Sequence, residues 1–396
     1  ILLGSNKKRE KNADIRNYIC IQRSHETGSS GPERIRRNLK MVRLTKTSRR
    51  ILMFGGLIFG LLASPAVTNA QSIVAILTCP MGCGVMEGNT IFGTMMAKAN
   101  EKLIVAAQET PGYMYNVRAM EEKRRWKKQV FGTEDVIIQL ALQGGSTELK
   151  QFLPKPIPIK FKILHGEGYW AQGKFFVTTN PNIKSIADMK GKKISIGLVG
   201  QSDWGVYPYL FLKYAYGIDE SNSDIRRLNP GGLTQQLIDG TTDVAVTGYG
   251  TDTKQSFHLI TGPLRKLQAS GKKLYYIPMD KWAVDKINKM FGTTFVTLKI
   301  KAGTLPGQDK DFVSGFNRGY KAAHPDFPED LAYQFVMGMH KHAPAMRKIS
   351  KVFAMMTNAM MTDGLTEENT HPGAIRALKE LGIWEQRKGT VPVTYP

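Results

Sequence analysis

The sequence predicts an α/β fold of two lobes joined by a hinge, with a helical C-terminal region. Short apolar runs alternate with segments of helical period, the mark of α/β layers. Two Gly-containing loops, one in each of two blocks, stand between a strand and a helix. The 396 residues, 42% of them hydrophobic, are enough to bury two cores of ordinary size.

The elements follow in order. Residues 73–77 read as a buried strand, followed by a Gly-containing loop over 78–88 and a helical pattern over 90–103. A second strand, 103–107, runs into the turn Thr110-Pro111-Gly112 and a helix whose far end is the charged run 121–128. Residues 134–140 form a third apolar run, taken as the third strand and closed by Gln143-Gly144-Gly145. The prolines at 154, 156 and 158 interrupt the pattern, and strand-like texture resumes at 159–164 and 174–178. Ser185 and Asp188 have the spacing of a capping box. A strand over 194–197 then leads into the Gly-rich loop 197–205 and the helix 206–216. A short helix at 234–240 precedes a strand at 244–247. Residues 293–300 are extended, and 312–323, 328–341, 344–361 and 372–381 read as helices. This organisation places 71–177 and 294–396 in lobe 1 and 178–293 in lobe 2. The Met cluster at 355, 356, 360 and 361 has helical spacing and reads as core filling.

The formal charge of +22 is uneven: residues 1–70 hold 14 Lys+Arg against 4 Asp+Glu, leaving a surplus of 12 for the remainder. Spread over a large domain, such a surplus raises the local concentration of anions. No zinc-finger spacing, RNP-like aromatic string or basic recognition helix accompanies it, so nucleic acid is not an expected partner. From Met41, a basic start, an apolar run over 51–62 and small residues ending at Ala70 have the layout of a secretory signal peptide, with cleavage after Ala70. The alternative is an uncleaved anchor, for which the run is short and Pro65 unhelpful. Residues 1–40 are expected to lie outside the mature protein. Cys79 and Cys83 would then be its only cysteines, and in an oxidising compartment a disulfide between them needs only a turn that brings them close. The seven histidines are scattered without metal-ligand spacing, and no cofactor is expected.

Helix N-termini expose unpaired backbone N–H groups and a partial positive charge, so a Gly-containing loop there can hold a carboxylate without an arginine. Such loops stand at 82–88 and 200–205. No G-x-S-x-G elbow, P-loop or zinc motif points to catalysis, and an enzyme on an α/β scaffold is the weaker reading.

Several blocks carry a resemblance. They are the loop Thr78-Cys79-Pro80-Met81-Gly82-Cys83-Gly84, the Thr110, Gly112, Asn116 pattern, Gln139, and the stretch 183–193. The most specific are Ala302-Gly303-Thr304-Leu305-Pro306-Gly307-Gln308-Asp309 and His371-Pro372-Gly373-Ala374. In these the chain resembles the TAXI class of substrate-binding proteins, which serve TRAP transporters. The resemblance implies a non-catalytic, monomeric, periplasmic Venus-flytrap protein that holds a small carboxylate or amino acid in its cleft and delivers it to TRAP membrane subunits. A receptor for a sensor or an ABC importer is the alternative use of the same fold.

The implied ligand residues are Thr78, Gly82, Gly84, Thr110, Asn116 and Gln139 from lobe 1, with Gln201, Ser202, Asp203 and Thr247 from lobe 2. Tyr113, Tyr115 and Trp204 join them where the family has smaller or more polar residues, and Tyr249 follows the strand 244–247 at a position expected to face the cleft, which together suggest a ligand bulkier than glutamate. N-terminal sequencing of the exported protein should begin at Gln71; an earlier start would overturn the cleavage reading.

Overall fold

The computed structural model describes residues 71–81, 83–170, 175–252, 254–390 and 392–395. The proposed signal peptide and the segment before it lie outside the described residues, as does Gly82.

The chain begins with β1 (Ser72–Leu77), α1 (Gly84–Lys98), β2 (Leu103–Gln108), α2 (Tyr113–Ala119), β3 (Gln129–Glu134), α3 (Asp135–Leu142) and β4 (Lys162–Trp170). It continues with β5 (Phe175–Thr178) and β6 (Lys193–Ile196), then a helical stretch in three pieces, Ser202–Val206, α4 (Tyr207–Leu210) and Phe211–Ala215. Next come β7 (Asp224–Arg227), α5 (Pro230–Asp239), β8 (Val244–Thr247), β9 (Tyr249–Thr251), β10 (His258–Ile260), α6 (Gly262–Ala269), β11 (Tyr275–Ile277) and α7 (Lys281–Phe291). The last third holds β12 (Val296–Ile300), β13 (Phe312–Phe316), β14 (Arg318–Ala323), α8 (Glu329–Ile349), α9 (Asn358–Thr362) and α10 (Pro372–Glu380).

These strands build an α/β molecule on two main sheets. The first has the order β10-β9-β4-β14-β3-β1-β2 and the second β11-β5-β8-β6-β7, while β12 and β13 form a separate hairpin. β1 pairs in parallel with β2 and β3, and β6 in parallel with β7 and β8, as strands joined through helices do. One hydrophobic cluster runs through inner-face residues of both sheets, from Val74 and Ile76 in β1 to Ile194 and Ile196 in β6. A second lies on the other side of the second sheet, where Leu233, Leu237, Leu264 and Leu267 cover Phe175, Val177 and Ala245.

Local signals act as expected at several points. Ser185 and Asp188 make the reciprocal capping bonds: the Ser185 amide and hydroxyl each donate to Asp188 Oδ2 at 2.9 Å, and the Asp188 amide donates back at 3.3 Å. A disulfide joins Cys79 to Cys83 ahead of α1.

Three expectations are corrected. The apolar run 134–140 is not the third strand; β3 ends at Glu134, and the run forms α3, buried on all sides from Asp135 to Ala141. A short, wholly apolar run has no period to separate a buried strand from a buried helix. Residues 312–323 are not a helix but β13 and β14. β14 lies between β3 and β4 with every residue buried, so burial on both faces erases the alternation that would have marked a strand. The charged run 121–128 holds a single 3₁₀ turn, Lys123–Arg125, and Trp126 behind it stacks on His324 at 3.6 Å.

α1 lies close on the first sheet because Gly93 has no side chain; a Cβ there would stand 2.3 Å from the Val105 carbonyl oxygen. Gly93→Ala must push the helix off β2, and the variant should lose about 1–3 kcal/mol in urea unfolding. An unchanged midpoint would show that the contact can relax freely.

Candidate functional site

The carboxyl edges of the two sheets face one another, which is where open α/β sheets hold their ligands. Two contacts establish this. Gly112, just before α2, lies against Gly200, just after β6, and the hydroxyl of Tyr207 in α4 donates to Glu134 Oε2 at the end of β3 at 2.6 Å. Burial, and then the Glu134 charge, push the Tyr207 hydroxyl well above its ordinary pKa, so it stays a donor.

Each sheet presents a helix N-terminus at this edge. Among the described residues, the amides of Gly84 and Val85 at the start of α1 meet no acceptor, and neither do those of Ser202 and Trp204. β6 and β8 are parallel neighbours, so Thr247, the last residue of β8, ends at the same edge as the loop that leads to Ser202. The Thr247 hydroxyl is fully buried and has no partner among the described residues.

Behind the edge lie charges that the first sheet keeps almost wholly from water. Lys321 in β14 pairs with Glu167 in β4, and the Tyr113 hydroxyl donates to the same carboxylate at 2.8 Å. Arg318 Nε pairs with Asp135 at 2.9 Å, and both side chains are almost wholly buried. The His165 Nδ1–H donates to the Gly166 carbonyl at 2.7 Å, leaving the bare Nε2 with no partner among the described residues. His165, Glu167 and Lys321 line a small pocket of about 20 Å³ together with Phe353 and Met356. Burial, foremost, depresses the His165 pKa to about 4.

The residues singled out in the sequence divide into three groups. Thr78, Thr110 and Asn116 hold the edge together: the Thr78 hydroxyl donates to the Gln108 carbonyl, that of Thr110 to the Thr78 carbonyl, and the Asn116 amide to the carbonyls of Leu77, Thr78 and Gly132. Gln139 belongs to α3 and bonds Thr294 and the Thr394 carbonyl. Tyr115 packs on the core, and the Tyr249 hydroxyl meets His258 Nδ1 at 2.8 Å. Gly84, Ser202, Asp203, Trp204 and Thr247 stand at the edge itself, with Gln201 closing the loop by accepting the Leu198 amide at 3.1 Å. Trp204 is partly exposed and touches both core clusters.

Sequence reasoning missed Glu134, Asp135, Glu167, Tyr207, Arg318 and Lys321. A signal was present, since Glu167 stands between glycines and Arg318 and Lys321 interrupt an otherwise apolar segment. The most specific motif blocks lie elsewhere. His371 caps α10, accepting the Gly373 amide while its Nε2 meets the Phe327 carbonyl, and Gln308 ties the turn between β12 and β13. Among the described residues, no helix is long and apolar enough to cross a membrane, and no group of three or more His, Cys, Asp or Glu residues is arranged to hold a metal.

The family model of the NMT1-like family matches residues 164–382. No curated protein matches the chain. Among solved structures, a protein from Bordetella bronchiseptica RB50 is 16% identical with a TM-score of 0.45, over 78% of this chain and 89% of that one. Malate-bound MatC from Rhodopseudomonas palustris is 11% identical with a TM-score of 0.42, over 81% and 99%. The periplasmic aliphatic sulphonate binding protein SsuA from Escherichia coli is 12% identical with a TM-score of 0.34, over 81% and 80%.

Because the folded state holds His165 neutral down to about pH 4 while the unfolded chain protonates it near 6.5, its contribution is complete above pH 6.5 and is lost as pH falls to 4. The loss amounts to about 3 kcal/mol. Urea unfolding of the protein and of His165→Gln at pH 7 and 4.5 should show the variant losing less stability on acidification. Equal losses would exclude His165 as the source.

Proposed function

The chain belongs to the NMT1-like family, and from that premise and the geometry of the facing edges we infer that it is a solute-binding protein which captures a small organic acid between the two sheets. The observation that carries the reading is the pair of helix N-termini whose amides meet no acceptor among the described residues, Gly84 and Val85 on one side and Ser202 and Trp204 on the other. Amides of this kind hold a carboxylate by hydrogen bonds and by the local positive potential, with no need of a free arginine. The buried Thr247 hydroxyl at the same edge adds a donor.

Binding without turnover is supported by how the ionisable groups behind the edge are used. Arg318 and Asp135, and Lys321 and Glu167, are committed to each other in buried pairs. A group so committed anchors its neighbours and is poorly placed to exchange protons with a ligand. A bulkier acid than glutamate now rests on Trp204, since Tyr113 and Tyr249 have their hydroxyls engaged within the protein. The proposed two-lobed division, export by the segment 41–70, and delivery to TRAP membrane subunits complete the reading. Support for them comes from the signal-like layout and from the blocks at 302–309 and 371–374.

Mass spectrometry of small molecules released from the purified protein should find an organic acid. In thermal-shift measurements, aromatic or branched carboxylates should raise the melting temperature more than glutamate does, and Trp204→Ala should erase the difference. Stabilisation by glutamate and by no larger acid would sink the bulky-ligand reading; no released acid and no stabilisation by any acid would sink solute capture itself.

A further inference from the structure

A helix start is ordinarily closed by the side chain of its cap residue. In this chain Asn229 accepts the amide of Gly232 at 2.8 Å at the start of α5, and His371 accepts that of Gly373 at 3.3 Å at the start of α10. Such a side chain stands in front of the second and third helical amides, in the place where an anion would sit. α1 differs. Its cap residue is Cys83, whose sulfur is joined to Cys79 and makes no capping hydrogen bond.

The turn is held all the same. Cys79 lies two residues beyond β1, so the disulfide ties the end of that strand to the start of α1 and restricts the turn between them. Backbone bonds close the same turn: the Cys83 amide donates to the Pro80 carbonyl at 3.1 Å, and the Cys83 carbonyl accepts the amides of Met86 and Glu87 at 3.0 and 3.3 Å. Cys79 is buried in a small apolar cluster with Val85 of α1, Tyr113 of α2 and Met355, and Cys83, Phe257 and Leu259 pack against it. The tether is therefore anchored on more than its own loop. It leaves the Gly84 and Val85 amides with no acceptor among the described residues. An asparagine or serine at the cap would fix the turn by standing before those amides, whereas the disulfide fixes it and keeps them open.

We propose that the Cys79–Cys83 disulfide is the positioning element of the acid-binding edge: it replaces the helix cap, leaves the α1 amides to the solute, and so sets the affinity for a carboxylate. The inference rests on the solute-binding reading for what the amides hold, and not for what the disulfide does to α1.

Two double variants separate the tether from the cap. Cys79→Ala/Cys83→Ala has neither, and Cys79→Ala/Cys83→Asn has a cap without the tether. In hydrogen exchange read by mass spectrometry, residues 86–88 should exchange on the order of tenfold faster in the alanine variant than in the disulfide-bonded protein, and the asparagine variant should slow them again. Urea midpoints should follow the same order. Affinity should not. In calorimetric titrations with glutamate, phenylacetate and 3-methylbutanoate, the alanine variant should bind the best of the three on the order of tenfold more weakly than the disulfide-bonded protein. The asparagine variant should bind it more weakly still, although it is the more stable of the two variants. An asparagine variant that binds as well as the alanine variant or better would show that the disulfide acts through stability alone, and would overturn the proposal. Unchanged affinity in the alanine variant, or unchanged exchange at residues 86–88, would overturn it too. If the disulfide-bonded protein binds none of the three acids, the carboxylate reading and the affinity role fall together, while the exchange rates still decide whether the disulfide holds α1.

Discussion

Asp135 is the point on which the architecture turns. Its carboxylate is fully buried and accepts four hydrogen bonds, from the amide of Val136, the amide and guanidinium of Arg318, and the hydroxyl of Thr294. Those donors belong to α3, to the start of β14 and to the segment leading into β12, which are far apart in sequence. A buried carboxylate is tolerable only when such donors replace water, so the three segments must meet at this place or the fold carries a heavy desolvation penalty. Once they meet, β14 is set antiparallel against β3 with Gly319 opposite Glu134. Glu134 is thereby aimed at Tyr207 and the second sheet.

The same pattern recurs one step along the strand. Lys321 follows Arg318 by three residues in β14, and Glu167 in β4 answers it as Asp135 answers Arg318. Both pairs lie near the carboxyl edge of the first sheet, and Tyr113 brings the start of α2 onto the second pair. Charge near the edge therefore fixes the positions of strands and helix starts. On the proposed reading, recognition falls to the backbone amides that those helix starts expose.

The legibility of the chain follows from what each residue contacts. β1, β2 and β6 were readable because each is a short apolar run beside a Gly-containing loop, and the capping spacing of Ser185 and Asp188 acts locally. β14 was not readable, because Tyr320, Ala322 and Ala323 owe their strand conformation to β3 and β4, each more than a hundred residues earlier in the chain. For the same reason α3 passed for a strand: its apolar run is enclosed on every side, and only the tertiary surroundings choose helix. At the candidate site, Gly84 and Ser202 to Trp204 could be found since helix starts have local signatures. Glu167 and Arg318 could not be matched to their partners, because a buried ion pair is a property of two distant positions and neither alone predicts the other.

Thr78, Thr110 and Asn116 show a related limit. They form a pattern that resembles a ligand cradle, and they lie beside the edge where one is proposed, yet their donors are spent on carbonyls at the ends of β1, β2 and β3. Strand ends leave backbone groups unpaired, and a fully buried asparagine satisfying three of them is worth more to the fold than to a ligand. Polar side chains that recur beside a binding edge can thus be there to build it. On the proposed reading, the groups left to touch a solute are those that the scaffold leaves unsatisfied, which among the described residues at this edge are amides, one hydroxyl and the Asn116 side-chain oxygen.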